Sequence, residues 1–224
     1  RREVVVEAVA RAKAVQNDAK PYAIVAKVAV GGGRGLIATQ DIPAGTLIVS
    51  EIPVMSFEDA TQMDDPALLM RAIKSICEDD LAIDACAFMY PQNYDDADKE
   101  EIDRVRGIWG EEELSILSKE VNVPIHELIR RVLAVQHNGF NTGIYKWLAM
   151  INHSCQPNCI KFAPNNSSNW GSEIWTTCAV KKGEELTWCY QTPLEMTRST
   201  LQNFLTIHHR FTCACALCSG RTKV

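Results

Sequence analysis

The sequence predicts an α+β protein in which two β-rich flanks enclose a helical middle, followed by a cluster of cysteines. Three observations support this fold class. β-type apolar segments with short turns fill the chain from about residue 22 to 56 and return after residue 159. Between them, apolar residues recur at helical spacing. Three cysteines then fall within residues 213–218, a spacing typical of zinc sites.

Composition and charge narrow the class of protein. Hydrophobic residues make up 46% and charged residues 23% of the 224 residues, as in ordinary globular proteins. The formal charge of -5 provides no basic field for a phosphate backbone, so we expect no direct nucleic-acid ligand. No apolar run approaches the ~20 residues of a membrane span, and no secretory leader stands out. We therefore expect no membrane role and a location in the nucleus, the cytoplasm or both.

The first flank has the signals of short antiparallel strands. Residues 1–19 are compatible with one face of a helix and receive no functional role. The expected elements then follow in order: a β segment over Tyr22–Val30, a glycine-rich break over Gly31–Gly35, a further β segment after Leu36, a turn at Pro43–Gly45 and a strand over Thr46–Ile52.

The middle of the chain is predicted to be helical. A helix start at Asp64-Asp65-Pro66 precedes apolar residues at helical spacing, which are Leu68, Leu69, Ile73 and Ile76. Two further helices are predicted over Glu111–Glu120 and Pro124–Gln136, the second with proline in its first turn. The acidic run from Asp95 to Asp103 is expected at the surface.

The second flank returns to β structure before a last helix. Strands are predicted over Cys159–Ala163, Glu173–Val180 and Leu186–Tyr190, with a loop over Asn165–Asn169. The last helix should start with Thr192 as its cap and Pro193 in its first turn. Its buried residues would include Leu194, Leu201 and Leu205.

The cysteine cluster Cys213-x-Cys215-x-x-Cys218 is the strongest local signal of a metal. Structural zinc prefers four thiolate or imidazole ligands, so this cluster is one ligand short. The candidates for the fourth ligand are Cys77, Cys86, Cys155, Cys159, Cys178, Cys189, His208 and His209. Cys155, in a loop, is more available than Cys178 or Cys189, because strand cysteines are usually small buried hydrophobes. Cys159 opens a strand and is expected to be buried.

Four motifs occur in the order seen in a known family: Gly33-Arg34-Gly35-Leu36, Asn152-His153-Ser154-Cys155-x-Pro157-Asn158-Cys159, Gly183-Glu184-Glu185-Leu186-Thr187-x-x-Tyr190 and the terminal cysteine cluster. This order resembles SET-domain protein lysine methyltransferases over residues 22–56 and 136–218. Asn138-Gly139-Phe140 and Phe211-Thr212-Cys213-x-Cys215 are similar to the SET-and-MYND (SMYD) branch. The MYND finger of that branch is not expected here, because Cys77 and Cys86 are the only cysteines between Glu51 and Ile151.

The resemblance implies small β-sheets around a knot-like threading, in which the segment with Tyr190 passes beneath the loop with Asn152 and His153. It divides the chain into an N-terminal part of the SET domain (20–58), a helical insert (59–135), a C-terminal catalytic part (136–192) and a post-SET helix with the zinc-binding cysteines (193–224). It also implies S-adenosylmethionine (AdoMet) as methyl donor and a protein lysine as acceptor.

The same resemblance implies the roles of particular residues. Tyr190 matches the catalytic tyrosine, and Cys155 matches the fourth zinc ligand beside Cys213, Cys215 and Cys218. The residues that would contact the cofactor are Gly32, Gly33, Arg34, Asn138, Asn152, His153, Tyr190 and Phe211. His153 would lie on the adenine side and Phe211 would stack on the ring. The sequence departs from many relatives at Gly32, where they carry a lysine-like residue, and at His209, where they carry an aromatic residue.

Two other classes of function compete with an AdoMet-dependent methyltransferase that acts on lysine of histone or non-histone proteins. One is a catalytically silent SET module that binds a peptide or partner protein in the same groove. The other is a purely structural zinc module, which leaves the glycine loop and Tyr190 without a role. The expected partner is a protein or peptide that presents lysine, and the sequence does not indicate an oligomeric state.

Overall fold

The computed structural model describes residues 22–28, 33–56, 73–140, 142–163, 171–191, 197–209 and 211–220. The predictions for residues 1–19, the helix start at Asp64, the loop over residues 165–169, Gly32 and the side chain of His208 lie outside the described residues. The chain divides into two compact units, one of residues 1–52 and 150–224 and one of residues 53–149. Within the described ranges, no helix is long and apolar enough to span a bilayer.

The described elements follow the order that the sequence indicates, with strands first, then helices, then strands again and a last helix. The strands are β1 (Ala23–Lys27), β2 (Arg34–Ala38), β3 (Leu47–Glu51), β4 (Met55–Ser56), β5 (Gly143–Ile144), β6 (Asn152–His153), β7 (Cys159–Phe162), β8 (Ser172–Thr176) and β9 (Glu185–Trp188). The α-helices are α1 (Asp80–Phe88), α2 (Lys99–Trp109), α3 (Glu111–Glu120), α4 (Ile125–Asn138) and α5 (Arg198–His209), with helical residues also at 73–78.

The first sheet joins residues from both ends of the chain in the order β1-β2-β9-β6. β1 and β2 form an antiparallel hairpin from Ala23 opposite Ala38 to Lys27 opposite Arg34. β9 continues the sheet antiparallel to β2, whereas β6 lies parallel to β9. A parallel pair needs a long connection, and here the connection contains β7 and β8. The motifs of both flanks therefore meet in one sheet.

The second sheet has the antiparallel order β3-β8-β7. Alternate residues of β8, namely Ser172, Ile174 and Thr176, are buried, as the period of two in a half-buried strand requires. The Thr176 hydroxyl donates to the Pro43 carbonyl at 2.7 Å and accepts the Thr46 backbone N–H at 2.9 Å. These bonds fix the predicted turn, where Gly45 has φ of 74°.

The unit of residues 53–149 is mainly helical, with a two-stranded β4–β5 pair. The helix α4 is its most deeply buried element. Its buried side chains are Leu128, Ile129, Arg130, Val132, Leu133 and Ala134. A single residue, Gly110 with φ of 75°, separates α2 from α3 and lets the chain turn between them.

The helices agree only in part with the sequence prediction. The helix α3 is confirmed at its predicted bounds, but α4 runs from Ile125 to Asn138, two residues beyond the predicted end. The helices α1 and α2 were not predicted, and α2 buries Glu101 within the acidic run expected at the surface. The described part of the last helix begins at Arg198, and the hydroxyl of Thr197, just before it, accepts the Thr200 N–H at 3.2 Å. The predicted start at Thr192 and Pro193 and the predicted burial of Leu194 lie outside the described residues.

Two cysteine predictions have opposite outcomes. Cys159 is buried at the start of β7, as expected. Cys178 is exposed, so the expectation of a small buried strand residue was wrong. The physical reason is that β8 ends at Thr176, and Cys178 lies in the bend that follows.

Candidate active site and cysteine cluster

The parallel pairing of β6 with β9 builds the candidate site. Asn152 lies opposite Thr187 and His153 opposite Trp188 in this pairing. Beyond it, the Ser154 backbone N–H donates to the Trp188 carbonyl at 3.1 Å. The Asn-His motif and the segment that leads to Tyr190 are therefore held side by side.

The side chain of Asn152 connects three elements of the first sheet. Its Nδ2 donates to the Arg34 carbonyl at 2.9 Å and to Glu185 Oε1 at 2.7 Å. Gly35 makes room for this amide, because a Cβ atom at Gly35 would lie 2.7 Å from Asn152 Nδ2. Burial raises the pKa of Glu185, and the hydrogen bond from Asn152 opposes part of that rise. Both donors of Asn152 are thus bonded within the protein.

Asn158 also holds β9, a role that the sequence motif did not reveal. Its Nδ2 donates to the Glu185 carbonyl at 2.8 Å, and its Oδ1 accepts the Thr187 N–H at 2.9 Å. An amide that bonds a backbone donor and a backbone acceptor substitutes for a neighbouring strand. Asn158 therefore fixes the strand that precedes Tyr190.

His153 is buried, and both of its ring nitrogens have partners. Nδ1 accepts the Tyr190 backbone N–H at 3.1 Å, and Nε2 lies 3.3 Å from Cys155 Sγ. Burial, together with the smaller effect of the nearby His209, lowers the pKa of His153 to about 4. A neutral ring that accepts at Nδ1 carries its proton on Nε2, which then points to the Cys155 sulfur. His153 thus connects Tyr190 to the cysteine cluster.

The Tyr190 ring lies among four other rings. The ring centroids of His153, Trp188, His209 and Phe211 are 5.3, 5.2, 5.0 and 6.4 Å from that of Tyr190. The hydroxyl donates to the Ile151 carbonyl at 3.1 Å. Burial, assisted by the Glu185 carboxylate, raises the pKa of Tyr190 above its ordinary value. The site therefore presents a protonated phenol at neutral pH.

Of the other predicted cofactor residues, some share this unit and some do not. Phe211 is half-buried, with its ring centroid 6.1 Å from that of His153. Gly33 is exposed just before β2, and Arg34 is half-buried at its start. Asn138 belongs to the helical unit, where its Nδ2 donates to the Tyr90 carbonyl at 2.7 Å and the Ala134 carbonyl at 2.8 Å.

The four cysteines predicted as metal ligands converge. The sulfur atoms of Cys155, Cys213, Cys215 and Cys218 all lie within 4.8 Å of one another. Cys155 Sγ is 3.8 Å from Cys213 Sγ and 3.5 Å from Cys218 Sγ. A tetrahedral zinc site with Zn–S bonds of about 2.3 Å separates its sulfurs by roughly 3.8 Å. These separations fit one tetrahedral ion, and they are much longer than the ~2.05 Å of a disulfide bond.

The thiols in this cluster favour a bound cation. Burial is the main cause that raises the pKa of the Cys155 thiol, and the neighbouring Cys218 and Cys213 add to it. Burial also raises the pKa of Cys213 to about 11. Four thiolates so close together would repel one another, which is why the protonated thiols are favoured without a cation. A divalent ion bound by the four sulfurs would offset this repulsion and stabilise the deprotonated form. The donor set and the sulfur spacing therefore suit zinc.

The cluster is attached to the body of the unit by apolar packing. Cys213 is buried with Leu201 and Leu205 of α5, and Tyr190, Phe204 and Phe211 pack against this group. The same aromatic residues thus contact the candidate active site and the cysteine cluster.

Comparison with known proteins agrees with this geometry. A family model described as SET domain matches residues 33–191. A curated relative, histone-lysine N-methyltransferase SET5 of Meyerozyma guilliermondii, is 29% identical over 101 residues, which cover 45% of this chain and 21% of that protein. The chain thus spans about a fifth of this relative's length.

Solved structures share the fold at low identity. The SET domain of LSMT bound to lysine and AdoHcy is 16% identical with a TM-score of 0.53, and the match covers 93% of this chain and 58% of that chain. The structure of Rubisco LSMT bound to AdoMet is 16% identical with a TM-score of 0.55, over 91% of this chain and 55% of that chain. The fold is therefore shared with these structures, of which this chain spans just over half.

The family match covers well over half of the chain and includes β2, the Asn152-His153 pair on β6, the Cys155 loop and Tyr190 after β9. These are the elements that build the site described above. The chain belongs to the SET domain family.

Proposed function

We propose that this chain is an AdoMet-dependent protein lysine N-methyltransferase that acts on lysine of histone or non-histone proteins. One observation carries the proposal: the protonated phenol of Tyr190 is held among rings and by a backbone carbonyl, next to the Asn152-His153 pair. The names of the relatives support it, because one is a histone-lysine N-methyltransferase, one structure is a SET domain bound to lysine and AdoHcy, and another is bound to AdoMet.

The residues present fit an adenosyl ligand. Phe211 offers a half-buried ring for stacking, and Gly33 offers exposed backbone without a side chain. The side chain of Asn152 is already bonded to Arg34 and Glu185, so we assign its contact with the cofactor to its backbone and Oδ1. Gly32, Arg34, Asn138, His153 and Tyr190 complete the proposed set of cofactor residues.

AdoMet, when bound, would supply an electrophilic methyl group, and the sulfur of AdoMet would keep the electron pair of the broken S–C bond to give AdoHcy. The chain must deliver the substrate lysine as a neutral amine, so the proton of its ammonium form leaves to solvent. The nitrogen lone pair then forms the new bond to the methyl carbon. A free lysine has a pKa of about 10.4, so an apolar channel that disfavours the ammonium form assists the reaction. Tyr190 stays protonated and orients the reacting groups, and no strong base is needed.

We assign a structural zinc ion to Cys155, Cys213, Cys215 and Cys218, in the manner of a post-SET segment. The convergence of the four sulfurs supports this assignment. A closed shell of four thiolates leaves no open position, so the ion holds the C-terminal segment and takes no part in methyl transfer.

We further propose the finer relationships that the motifs suggest. The chain is similar to the SMYD branch without its MYND finger, and the segment with Tyr190 threads beneath the Asn152-His153 loop. Residues 20–58 and 136–192 form the two parts of the SET domain, 59–135 the insert and 193–224 the post-SET segment. The partner is a protein or peptide substrate in the nucleus or cytoplasm.

The test is titration calorimetry of the zinc-loaded protein with AdoMet and with AdoHcy, with ATP as the adenine-containing control ligand. We expect micromolar binding of the first two and none of ATP. Tritium transfer from AdoMet to core histones and to Rubisco then tests the reaction, since the relatives' names suggest these substrates. If neither AdoMet nor AdoHcy binds the folded, zinc-loaded chain, the methyltransferase proposal is wrong.

If both cofactors bind but no protein accepts a methyl group, the silent peptide-binding module is favoured instead. A library of lysine-containing peptides, each assayed for binding and for methylation, separates these two functions. Binding without methylation by every captured peptide would support the silent module.

A further inference from the structure

The helix α5 places one polar side chain against the cysteine cluster. Gln202 Nε2 lies 3.0 Å from Cys218 Sγ and 3.1 Å from the Cys213 carbonyl oxygen, and it donates to both. Its Oε1 accepts the Cys213 backbone N–H at 3.0 Å. The sequence motif contains only the cysteines, so this residue has no assigned role.

The position of Gln202 is fixed by the packing of its own helix. Leu201, one residue before it, and Leu205, three residues after it, are both buried with Cys213. These two leucines hold α5 against the cysteine segment. The backbone of Gln202 is therefore fixed near the cluster, which lowers the entropy cost of its side-chain contacts. A fixed geometry of this kind is what an outer-shell residue of a metal site requires.

Only an amide satisfies all three contacts. The Cys213 backbone N–H needs an acceptor, the Cys213 carbonyl needs a donor, and the Cys218 sulfur accepts a second N–H. A glutamate of the same shape would keep the acceptor but would place a negative charge beside the sulfur and the carbonyl. A methionine of similar size would provide neither group.

The hydrogen bond to sulfur matters because four thiolates around one divalent ion have a net formal charge of minus two. An N–H donor to a thiolate stabilises that charge, as hydrogen bonds to charged groups generally do. Outer-shell hydrogen bonds of this kind also orient the ligand toward the metal.

We propose that Gln202 is a positioning residue of the zinc site, which orients Cys213 through its backbone N–H and carbonyl and stabilises the Cys218 thiolate through an N–H···S bond. This inference rests on the zinc site of the proposed function. It assigns to α5 a role in metal binding beyond apolar packing.

The test compares Gln202→Glu and Gln202→Met with Asn203→Asp, which adds the same charge as Gln202→Glu at the next, exposed position of α5. Zinc affinity is measured by competition with a chromophoric chelator. We expect both Gln202 variants to bind zinc about 10- to 100-fold more weakly than the wild-type chain, and Asn203→Asp to match the wild type.

Cobalt substitution gives a readout that a merely structural role would not change. Loss of an N–H···S bond raises the energy of the sulfur lone pairs, so the thiolate-to-cobalt charge-transfer band should move to lower energy in both Gln202 variants. Asn203→Asp should leave the band in place. Wild-type affinity and an unshifted band in both Gln202 variants would overturn the inference.

A failure to fold or a failure to bind zinc would also contradict the proposed role of Gln202. If Gln202→Met does not fold even with zinc in excess, the amide serves packing and the proposed role is wrong. If the wild-type chain binds no zinc, the metal site and the role of Gln202 both fail. The AdoHcy titration of the wild-type chain is independent of these variants, so failure of the methyltransferase proposal is seen separately.

Discussion

The Tyr190 hydroxyl donates a hydrogen bond to the Ile151 carbonyl, while the Tyr190 backbone N–H donates to His153. The two bonds fix the phenol and the main chain separately. Removing the hydroxyl therefore leaves the backbone position intact. This separation allows a substitution that changes the chemistry without removing the ring packing.

Tyr190→Phe is expected to retain AdoHcy binding and to lose most methyl transfer, by at least ~10²-fold, because the preorganised hydroxyl is lost. The free energy of unfolding should fall by only about 0.5–1.5 kcal/mol, the net value of one hydrogen bond. The measurements are calorimetry with AdoHcy and tritium transfer from AdoMet to a substrate of the wild-type chain. Unchanged turnover would remove Tyr190 from the mechanism.

Gly35 lies where three side chains approach the backbone closely. A Cβ atom there would lie 2.7 Å from Asn152 Nδ2, 2.7 Å from Glu185 Oε1 and 2.8 Å from Val28 Cγ1. Gly35→Ala should therefore reduce the free energy of unfolding by about 1–3 kcal/mol through overpacking. Because the alanine methyl displaces Asn152, affinity for AdoHcy should fall as well. Urea unfolding and calorimetry measure the two effects.

Gly107 in α2 provides the matched control, since no described atom lies within 4 Å of a Cβ placed there. Gly107→Ala should raise the free energy of unfolding by roughly 0.5–1 kcal/mol, because alanine is the better helix former. Equal effects of the two substitutions would contradict the close approach at Gly35.

At the scale of the elements, α4 is held by a buried cation. The Arg130 side chain is 6% exposed, and its Nη1 donates to the carbonyls of Cys86 and Pro91 at 3.2 and 3.0 Å. Its Nε and Nη2 bind the Glu127 carboxylate at 2.6 and 2.7 Å. Burial acts to raise the pKa of Glu127, but the hydrogen bonds from Arg130 and Arg131 outweigh it and lower that pKa.

Arg130→Ala should lower the free energy of unfolding by about 3–5 kcal/mol, since it leaves Glu127 and two carbonyls without this partner. Lys99→Ala is the control, because Lys99 pairs with Asp103 at the surface with the two side chains 88% and 57% exposed. We expect a change within about 0.5 kcal/mol for that variant. Urea unfolding tests both, and a loss below about 1 kcal/mol for Arg130→Ala would disprove the structural role.

The helices that the sequence predicted and those that it did not differ in the size of their buried residues. α4 was predicted because large apolar residues recur along it, such as Leu128, Ile129 and Leu133. α1 buries only Ala82, Ala85 and Cys86, so its apolar face gives a weak pattern. α2 buries Val105 and Glu101, and its charged sequence hides the helical periodicity.

The candidate site, like the helices, could be predicted only in part from the sequence. The family resemblance implied that Asn152, His153, Tyr190 and the four cysteines act together, and the four sulfurs do converge. The contacts of Tyr190 with His153 and His209 depend on the parallel β6–β9 pair and on the position of α5. Such pairings join residues far apart in the chain and leave no local signal. The contacts of Gln202 were missed for this reason.

At the scale of the molecule, the cysteine cluster closes a long loop. Cys155 lies 58 residues before Cys213 and 63 residues before Cys218. A metal ion that joins these residues restricts the chain as a crosslink does, and its binding free energy becomes folding free energy of the unit that contains it. The helical unit of residues 53–149 contains none of the four ligands.

Removal of the proposed zinc with a chelator should therefore act on one unit only. We expect faster amide hydrogen exchange in α5, in residues 211–220 and around Cys155, because the sulfur contacts no longer hold these segments together. Exchange in α2, α3 and α4 should change little, because these helices belong to the unit without metal ligands. Hydrogen exchange followed by mass spectrometry measures both units in one sample.

Cys155→Ser is the control for this experiment, since it removes the ligand that joins the two distant segments. The variant should exchange like the chelated wild-type chain in α5 and residues 211–220, and the chelator should add little further change. If exchange in these segments is the same with and without chelator in a zinc-loaded wild-type chain, the metal does not hold the C-terminal segment. Faster exchange throughout α2–α4 would instead show that metal binding stabilises the whole chain as one cooperative body.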